Sequence, residues 1–372
     1  MGGPQRRSLD VAIKLRHHGL KTEFLIPTGN DKFADAVTNV GLETHRTTLS
    51  RLRPPNKIYG NARFVADFIS TVRRISTLIR EREIDIVHAN MVVNFQTALA
   101  TALTSVPLAW HFNDTLTPTP AKQIAAALGK RWADEIIVAA DAVHEYYFDS
   151  HISSQTIYAP VDIDQFDPTQ IDPDEPSLRS ELGLGSDAPI VGTVGNLNPI
   201  KGHKYLLRAI AKLINNDQEI AVPIIGAKLD SQKKYFEELC ELRSKLNLED
   251  TVEFVGFRSD IPELLSLFDV FVLPSIAEAC PIVVLEAMAM ECPVVATDVG
   301  GVPEEIPDSD HGWVVPRKNS DALAQAIAEA LDDPKECRRR ATNARERVES
   351  MFSLEACVDR HEDLYRSLAG RT

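Results

Sequence analysis

Short runs of β-branched and aliphatic residues recur along the whole chain, separated by longer stretches in which apolar residues return every three or four positions. Runs of the first kind suit buried strands and the second period suits amphipathic helices, so their alternation predicts parallel sheets covered by helices. In the first half the pattern predicts strands over 21–27, 84–90, 107–112, 135–140 and 156–159, with helices around 5–18, 60–82, 93–103 and 120–131. In the second half it predicts strands over 189–194, 222–225, 252–255, 270–273, 293–297 and 313–315, with helices between them. Between the halves lies VDIDQFDPTQIDPDEPS, which is rich in Pro and Asp and reads as a linker rather than core, so the chain divides near residue 178.

Length agrees with that division, because 372 residues exceed what one hydrophobic core usually organises. A hydrophobic content of 44% is ordinary for a globular protein, and no apolar run is long enough to span a bilayer. The N-terminus, MGGPQRRSLD, lacks the hydrophobic region of a signal peptide, so the expectation is a soluble cytoplasmic protein. The five cysteines show no CxxC spacing and read as reduced packing thiols. A net charge of −14 argues against a nucleic-acid partner, yet over residues 1–100 Lys and Arg outnumber Asp and Glu. That basic end, with Arg6, Arg7, Lys14, Arg16, Arg51, Arg53, Lys57, Arg63, Arg73 and Arg74, can meet acidic lipid headgroups at the inner face of a membrane or receive a charged acceptor; a solvated face is the plainer alternative.

The chemistry concentrates in SIAEACPIVVLEAMAMECPVVATDVGGVPEEI, Ser275 to Ile306. Pro281 suits the first position of a helix, and the run from Ile282 to Met290 is apolar on every face except at Glu286. A carboxylate in such surroundings is unfavourable unless it is paired or hydrogen-bonded, and a ligand rich in hydroxyls can supply those bonds. The helix start leaves backbone N–H groups free at Ile282 and Val283, with the positive end of the dipole, which favours an anion. On physics alone, Glu286 is equally well a residue at the wet edge of a buried helix and Glu278 a loop charge.

With seven residues between Glu278 and Glu286, followed by PVVATDVGGVPEEI, the window resembles the Glu-x7-Glu signature of retaining group 1 nucleotide-sugar glycosyltransferases. The resemblance covers nearly the whole chain and is strongest from Pro189 to Pro316. It implies the α/β GT-B fold: an N-terminal acceptor-binding Rossmann-like domain over 1–178, a C-terminal nucleotide-sugar-binding one over 179–353, parallel sheets facing across a cleft, and a C-terminal helix within 354–372 that crosses back. Family members begin with a strand running into a Gly-Gly loop, whereas this chain opens on the loop, Met1-Gly2-Gly3, so the expectation is a late start or a sheet short of its first strand.

The resemblance also assigns roles. Glu278 lies by the donor sugar and Glu286 holds the nucleotide ribose, with Ile282 and Val283 at the anion position. Lys201, in VGTVGNLNPIKGHKYLLRAIAKL, binds the donor diphosphate; a cation at a helix entrance is mildly unfavourable unless an anion joins it. Asn196 stands where the family has an assisting Arg and brings no charge. His111, in PLAWHFND, takes the place of a His near the donor sugar and acceptor, although Asn113 fits the same place; Asp114 beside it orients a group or caps a turn. Gly3 lets the backbone approach a phosphate. The turn Gly226-Ala227-Lys228 lacks the family's second Gly, Phe257 and Arg258 fall where the family contacts the base, and Gly300 and Gly301 form a close-packed loop.

No metal is implied, and no cofactor beyond the nucleoside-diphosphate sugar, which serves as donor substrate. The reading is a retaining transferase that moves a sugar to an acceptor hydroxyl in envelope polysaccharide or glycolipid synthesis, with a saccharide or lipid-linked acceptor and no nucleic acid. Its rivals are a sugar-nucleotide-binding protein or partner subunit of the same fold without turnover, and a phosphorylase or epimerase.

Overall fold

The computed structural model describes residues 3–49, 58–184 and 187–370. The chain divides into two compact units, Met1–Ala159 with Leu354–Thr372, and Pro160–Ser353. The first boundary thus lies at Ala159/Pro160, not near residue 178. The Pro- and Asp-rich stretch is an integral part of the second unit: Phe166 is 1% exposed, its carbonyl accepts from Arg345 Nη1 at 3.1 Å, and Val161 bridges Ser353. Among the described residues no helix is long and apolar enough to cross a membrane.

The first unit opens with α1 (Gly3–His17), β1 (Glu23–Pro27), α2 (Asp31–Asn39), β2 (Glu43–Thr47) and α3 (Ile58–Glu81). It continues with β3 (Val87–Asn90), α4 (Phe95–Ala102), β4 (Leu108–Phe112), α5 (Thr119–Trp132), β5 (Glu135–Val138), α6 (Asp141–Tyr147) and β6 (Gln155–Thr156). All pairings are parallel, but the strands form two sheets, β1-β2 and β3-β4-β5-β6, rather than one. β2 is missing from the hydrophobic pattern because ETHRT contains no aliphatic or aromatic residue. Charges hold it instead: Arg82 bridges Glu23 and Glu43, His45 Nε2 lies 2.7 Å from Glu23, and the Arg82 guanidinium holds the Glu23 carboxyl down at about 2.

In the second unit the elements are α7 (Glu175–Glu181), β7 (Val191–Val194), α8 (His203–Ile214), β8 (Val222–Ile225), α9 (Lys233–Lys245), β9 (Val252–Gly256) and α10 (Ile261–Ser266). They continue with β10 (Val270–Leu273), α11 (Ile282–Ala289), β11 (Val294–Thr297), α12 (Val302–Glu305), β12 (Trp313–Val315), α13 (Ser320–Asp332) and α14 (Pro334–Met351). One parallel sheet runs β12-β11-β10-β7-β8-β9. Its central strands read as continuous apolar runs because helices cover both faces, and Val191, Leu206, Ile224, Val270 and Ile327 belong to one core. Successive strands first move away from β7 on one side and then resume at β10 on the other. This is the doubly wound order, whose switch point opens a crevice at the carboxyl ends of the two strands where the order reverses.

α15 (Leu354–Ala369) then completes the first unit. Its Leu354, Val358 and Leu364 pack with Val11 and Leu15 of α1, and Lys14 pairs with Glu355 at 2.8 Å.

Candidate functional site

Two loops meet at the switch point of the second unit. After β7 the chain passes Gly195 into a single 3₁₀ turn, Pro199–Lys201, capped by Asn198, whose Oδ1 accepts from the N–H groups of Ile200 (3.0 Å) and Lys201 (3.3 Å). Gly202 follows at φ +68°, where a Cβ would lie 1.9 Å from the Pro274 carbonyl oxygen, so only glycine lets the β7 loop touch the loop after β10. The contact is sealed by Ile276 N–H donating to the Ile200 carbonyl at 2.7 Å.

This apposition brings Lys201 and Glu278 together, with Nζ 2.7 Å from Oε1 and side chains 25% and 13% exposed. Ser275 Oγ donates to the same oxygen at 2.7 Å, and Ser275 is itself buried, its carbonyl accepting from Thr297 Oγ1 at 2.6 Å. A half-buried ion pair braced by a hydroxyl is a fixed charge arrangement that an incoming anion or sugar hydroxyl can enter by exchanging partners.

Pro281 is the N-cap of α11 rather than its first residue, and the helix begins at Ile282. Its first-turn N–H groups, Ile282 and Val283, precede the first intrahelical bond. Of its eight residues only Ile282, Val283 and Glu286 are half-buried, and the others are buried. Positions one turn apart share a face, so Glu286 lies on the same stripe as the helix start.

The remaining sequence-predicted residues behave differently. Asn196 is exposed and its Oδ1 accepts from Ala227 N–H at 3.3 Å, tying the β7 loop to the Gly226–Ala227 turn. Arg258 pairs with Asp260 (2.8 Å) and Glu181 (3.0 Å), while Phe257 is 76% exposed. Sequence reasoning left Ser275 without a role, passed over the Asn198 cap and missed Arg317, whose Nη1 donates to the Ile276 carbonyl at 3.2 Å. Asn-Pro just before the Lys was the available signal for the cap; nothing in the local pattern marks Arg317.

In the first unit, Gly3 opens α1 on an exposed turn, and Gly2 lies outside the described residues. His111 has no exposed surface. The buried guanidinium of Arg7 lies against it, Nη2 2.8 Å from Nδ1 and Nη1 3.2 Å from Nε2, and a neutral imidazole accepts at only one of these. His88 lies on the other side, its Nδ1 2.6 Å from Tyr365 Oη, and His361 Nδ1 donates to the Cys357 carbonyl at 2.8 Å. Burial, reinforced by Arg7, pushes the ring of His111 well below its ordinary range and that of His361 down to about 4, so both are neutral.

The contact with a sugar that the resemblance assigned to His111 is therefore not available to this enclosed ring. Asn113, two residues on at the strand end, is half-buried, and its Nδ2 is a buried donor with no partner. Asp114 is a turn cap, its Oδ1 accepting from the N–H groups of Leu116 (2.9 Å) and Thr117 (3.0 Å) and from the hydroxyls of Thr117 and Tyr147.

Of the described residues, His88, His111 and His361 bring ligand atoms close enough to share an ion, as do His18, Asp359 and Glu362, and Glu23, Glu43 and His45. Each already has a cation against one of its members, Arg7 at His111, Arg366 at Glu362 and Arg82 at Glu23 and Glu43, which opposes the addition of a metal ion.

Two family models match the chain, "Glycosyltransferase Family 4" over residues 1–165 and "Glycosyl transferases group 1" over 174–347. The chain is similar to an alpha-D-kanosaminyltransferase of Streptomyces kanamyceticus, 36% identical over 55% of this chain and 52% of that protein. It is also similar to a D-inositol 3-phosphate glycosyltransferase of Corynebacterium urealyticum, 34% identical over 63% and 57%. The chain thus spans only about half the length of the curated relatives it matches. Its fold is that of a solved glycosyltransferase of Rickettsia africae (TM-score 0.85, 21% identity, 100% of this chain and 96% of the other). It is equally that of Anabaena HepE solved with UDP-glucose (TM-score 0.82, 23% identity, 99% and 96%). With two α/β units on parallel sheets, family models that together run nearly end to end and a polar cluster at the switch point, the chain belongs to the group 1 glycosyltransferases and has their GT-B fold.

Proposed function

We propose that this protein transfers a sugar from a nucleoside-diphosphate sugar to an acceptor hydroxyl with retention at the anomeric carbon. The observation that carries the reading is the Lys201–Glu278 pair beside the first turn of α11, with Glu286 on the only half-buried stripe of that helix. Lys201 and the N–H groups of Ile282 and Val283 receive the diphosphate, Glu278 the sugar hydroxyls and Glu286 the ribose. As the C–O bond to the diphosphate breaks, negative charge grows on the phosphate oxygen that these cationic and dipolar groups face. The acceptor oxygen bonds to the anomeric carbon from the same side, and its proton passes to the departing phosphate. We read the reaction as metal-independent because Lys201 and the helix terminus supply the positive field.

Solved proteins of this fold bind UDP and UDP-glucose, which makes uridine the first base to test. The acceptor is read as a lipid-linked saccharide of envelope polysaccharide or glycolipid synthesis. Support for a cytoplasmic enzyme in contact with anionic lipid comes from α3, whose outer face exposes Tyr59, Val65 and Ile69 beside Arg63, Arg73 and Arg74. One observation favours a binding protein without turnover: Asn196 replaces a cation and is engaged with Ala227. Donor hydrolysis in the absence of acceptor separates the two readings.

The test is a thermal-shift screen against UDP, GDP, ADP, dTDP and CMP on wild type and Glu286→Ala, followed by kinetics with the matching sugar nucleotide. One diphosphate should raise the melting temperature by mass action. Glu286→Ala should then raise donor KM about tenfold to a hundredfold, the worth of hydrogen bonds to a charged group. An unchanged KM removes Glu286 from the site, and a folded protein that responds to no nucleotide sinks the transferase reading.

A further inference from the structure

Behind the Glu278 turn lies a second carboxyl that the reaction above does not use. Glu305, the last residue of α12, has no exposed surface. Its Oε1 accepts from the Cys280 thiol at 3.3 Å, and its Oε2 has no hydrogen-bond partner. The guanidinium of Arg347 donates to the main-chain carbonyls of Glu304 (2.7 Å) and Glu305 (3.1 Å), so its hydrogen bonds close the end of α12 rather than meet the carboxyl. The Gly-Gly loop grips the same turn. Gly301 N–H donates to the Ala279 carbonyl at 2.7 Å, and a Cβ on Gly300 would come within 2.1 Å of the Glu278 carbonyl oxygen. Residues 278–280 are thus held by main-chain contacts from the loop and by a side-chain contact at Cys280.

An ionised carboxylate in this position would be costly, since nothing solvates Oε2. Burial, with the nearby negative charges of Glu278 and Glu304, pushes the Glu305 carboxyl well above the ordinary carboxylate range, and the Cys280 thiol opposes this only in part. The groups that face it are Cys280 and Glu278 from the turn, Glu304 from its own helix and Arg347 from α14. Glu278, two residues before Cys280, is held against the Lys201 ammonium. The two carboxyls therefore occupy opposite environments, Glu278 on the turn against a cation and Glu305 on α12 behind it.

We infer that Glu305 is a positioning residue of the donor half-site: a buried carboxylic acid that fixes the Glu278–Pro281 turn through Cys280 and keeps a further negative charge away from the anion position at Lys201 and α11. The inference rests on the reading of that half-site as a diphosphate site. It carries a consequence for pH: loss of the Glu305 proton places a charge behind Glu278, so affinity for a nucleoside diphosphate falls on the alkaline side. A glutamine keeps the shape and has no proton to lose.

The experiment uses the full chain with UDP as probe. Calorimetric titrations run from slightly acid to alkaline pH on wild type, Glu305→Gln, Glu305→Ala and Cys280→Ala, beside infrared difference spectra of the carboxylic acid carbonyl. Wild type should show a protonated-acid band at neutral pH that Glu305→Gln lacks. Glu305→Gln should bind UDP like wild type at neutral pH and lose the alkaline decline. Glu305→Ala should bind about tenfold more weakly, and Cys280→Ala should lose less in the same direction. A folded Glu305→Ala with wild-type affinity, or a wild type without the band, overturns the inference. If Glu305→Ala does not fold, identical alkaline limbs for wild type and Glu305→Gln overturn it. A wild type that shows the band but binds neither UDP nor another nucleoside diphosphate overturns the donor-site reading and the positioning role with it. Failure of the Glu305 variants alone to alter binding leaves that reading standing.

Discussion

Each unit gathers ionisable side chains into one cluster, and the two clusters have opposite characters. In the second unit, Lys201 and Glu278 keep part of their surface in contact with solvent and neutralise each other, with Ser275 as a brace. In the first, Arg7, His88, His111 and His361 pack ring on ring and guanidinium on ring, and the imidazoles stay neutral because burial leaves them no alternative. Residue type alone would nominate the histidines as the reactive set. Access reverses the order: a group can exchange its partner for a ligand only if the ligand reaches it, and enclosed groups spend their chemistry on cohesion.

The sharpest way to break this contrast is at Gly202. Alanine there must sit at positive φ with its Cβ against the Pro274 carbonyl, so the two loops must part, at about 4 kcal/mol of stability and with loss of any nucleotide response. Urea unfolding and thermal shift read both, and an alanine variant with native stability would mean that the loops tolerate separation.

The next effect is a dissociation of readouts. His111→Ala should cost about 3 kcal/mol, because it empties a packed site and removes the ring against which the buried Arg7 guanidinium lies, yet leave the KM for donor unchanged. Lys201→Ala should do the reverse, weakening nucleotide binding with little change in unfolding. If His111→Ala alters donor KM while the protein stays folded, the division between cohesive and exchanging clusters fails.

The smallest effect follows from acid. His361 binds its proton near 4 in the folded chain and near 6.5 in the unfolded one, so the unfolded chain takes up more protons between those values. The stability present above about 6.5 is lost as pH falls towards the folded value, amounting to about 2 kcal/mol by about pH 5. His361→Gln should remove that share of the slope of unfolding free energy against pH over that window, leaving the part due to His88 and His111, and an unchanged slope would show that the ring is not held neutral.

The sequence made the second unit more legible than the first for a physical reason. Glu286 was conspicuous as the only charge in an apolar run, and Lys201 as a cation at a helix entrance; both are anomalies against a regular pattern. β2 carried no such pattern, because charges rather than apolar packing hold it. Phe166 was hidden in a Pro- and Asp-rich stretch whose composition said linker, although one buried aromatic anchors it. Strand alternation could not separate His111 from Asn113, since positions two apart share a face; what separates them is that His111 lies within β4 against Arg7, distant in sequence, whereas Asn113 lies past the strand end. Glu305 looked like one of two acidic residues after a Gly-Gly loop. Only the short helix that turns it inward separates it from Glu304.

The arrangement of the units along the chain bears on how the protein is made. Residues 160–353 form one unbroken stretch, whereas the other unit needs α15, whose His361 and Tyr365 complete the packing around His88. During synthesis from the N-terminus, the second unit can therefore close while the first still waits for its last helix. Until that helix leaves the ribosome, the apolar faces of α1 and the β3–β6 sheet have no permanent cover, which makes this the interval when a nascent chain most needs a chaperone.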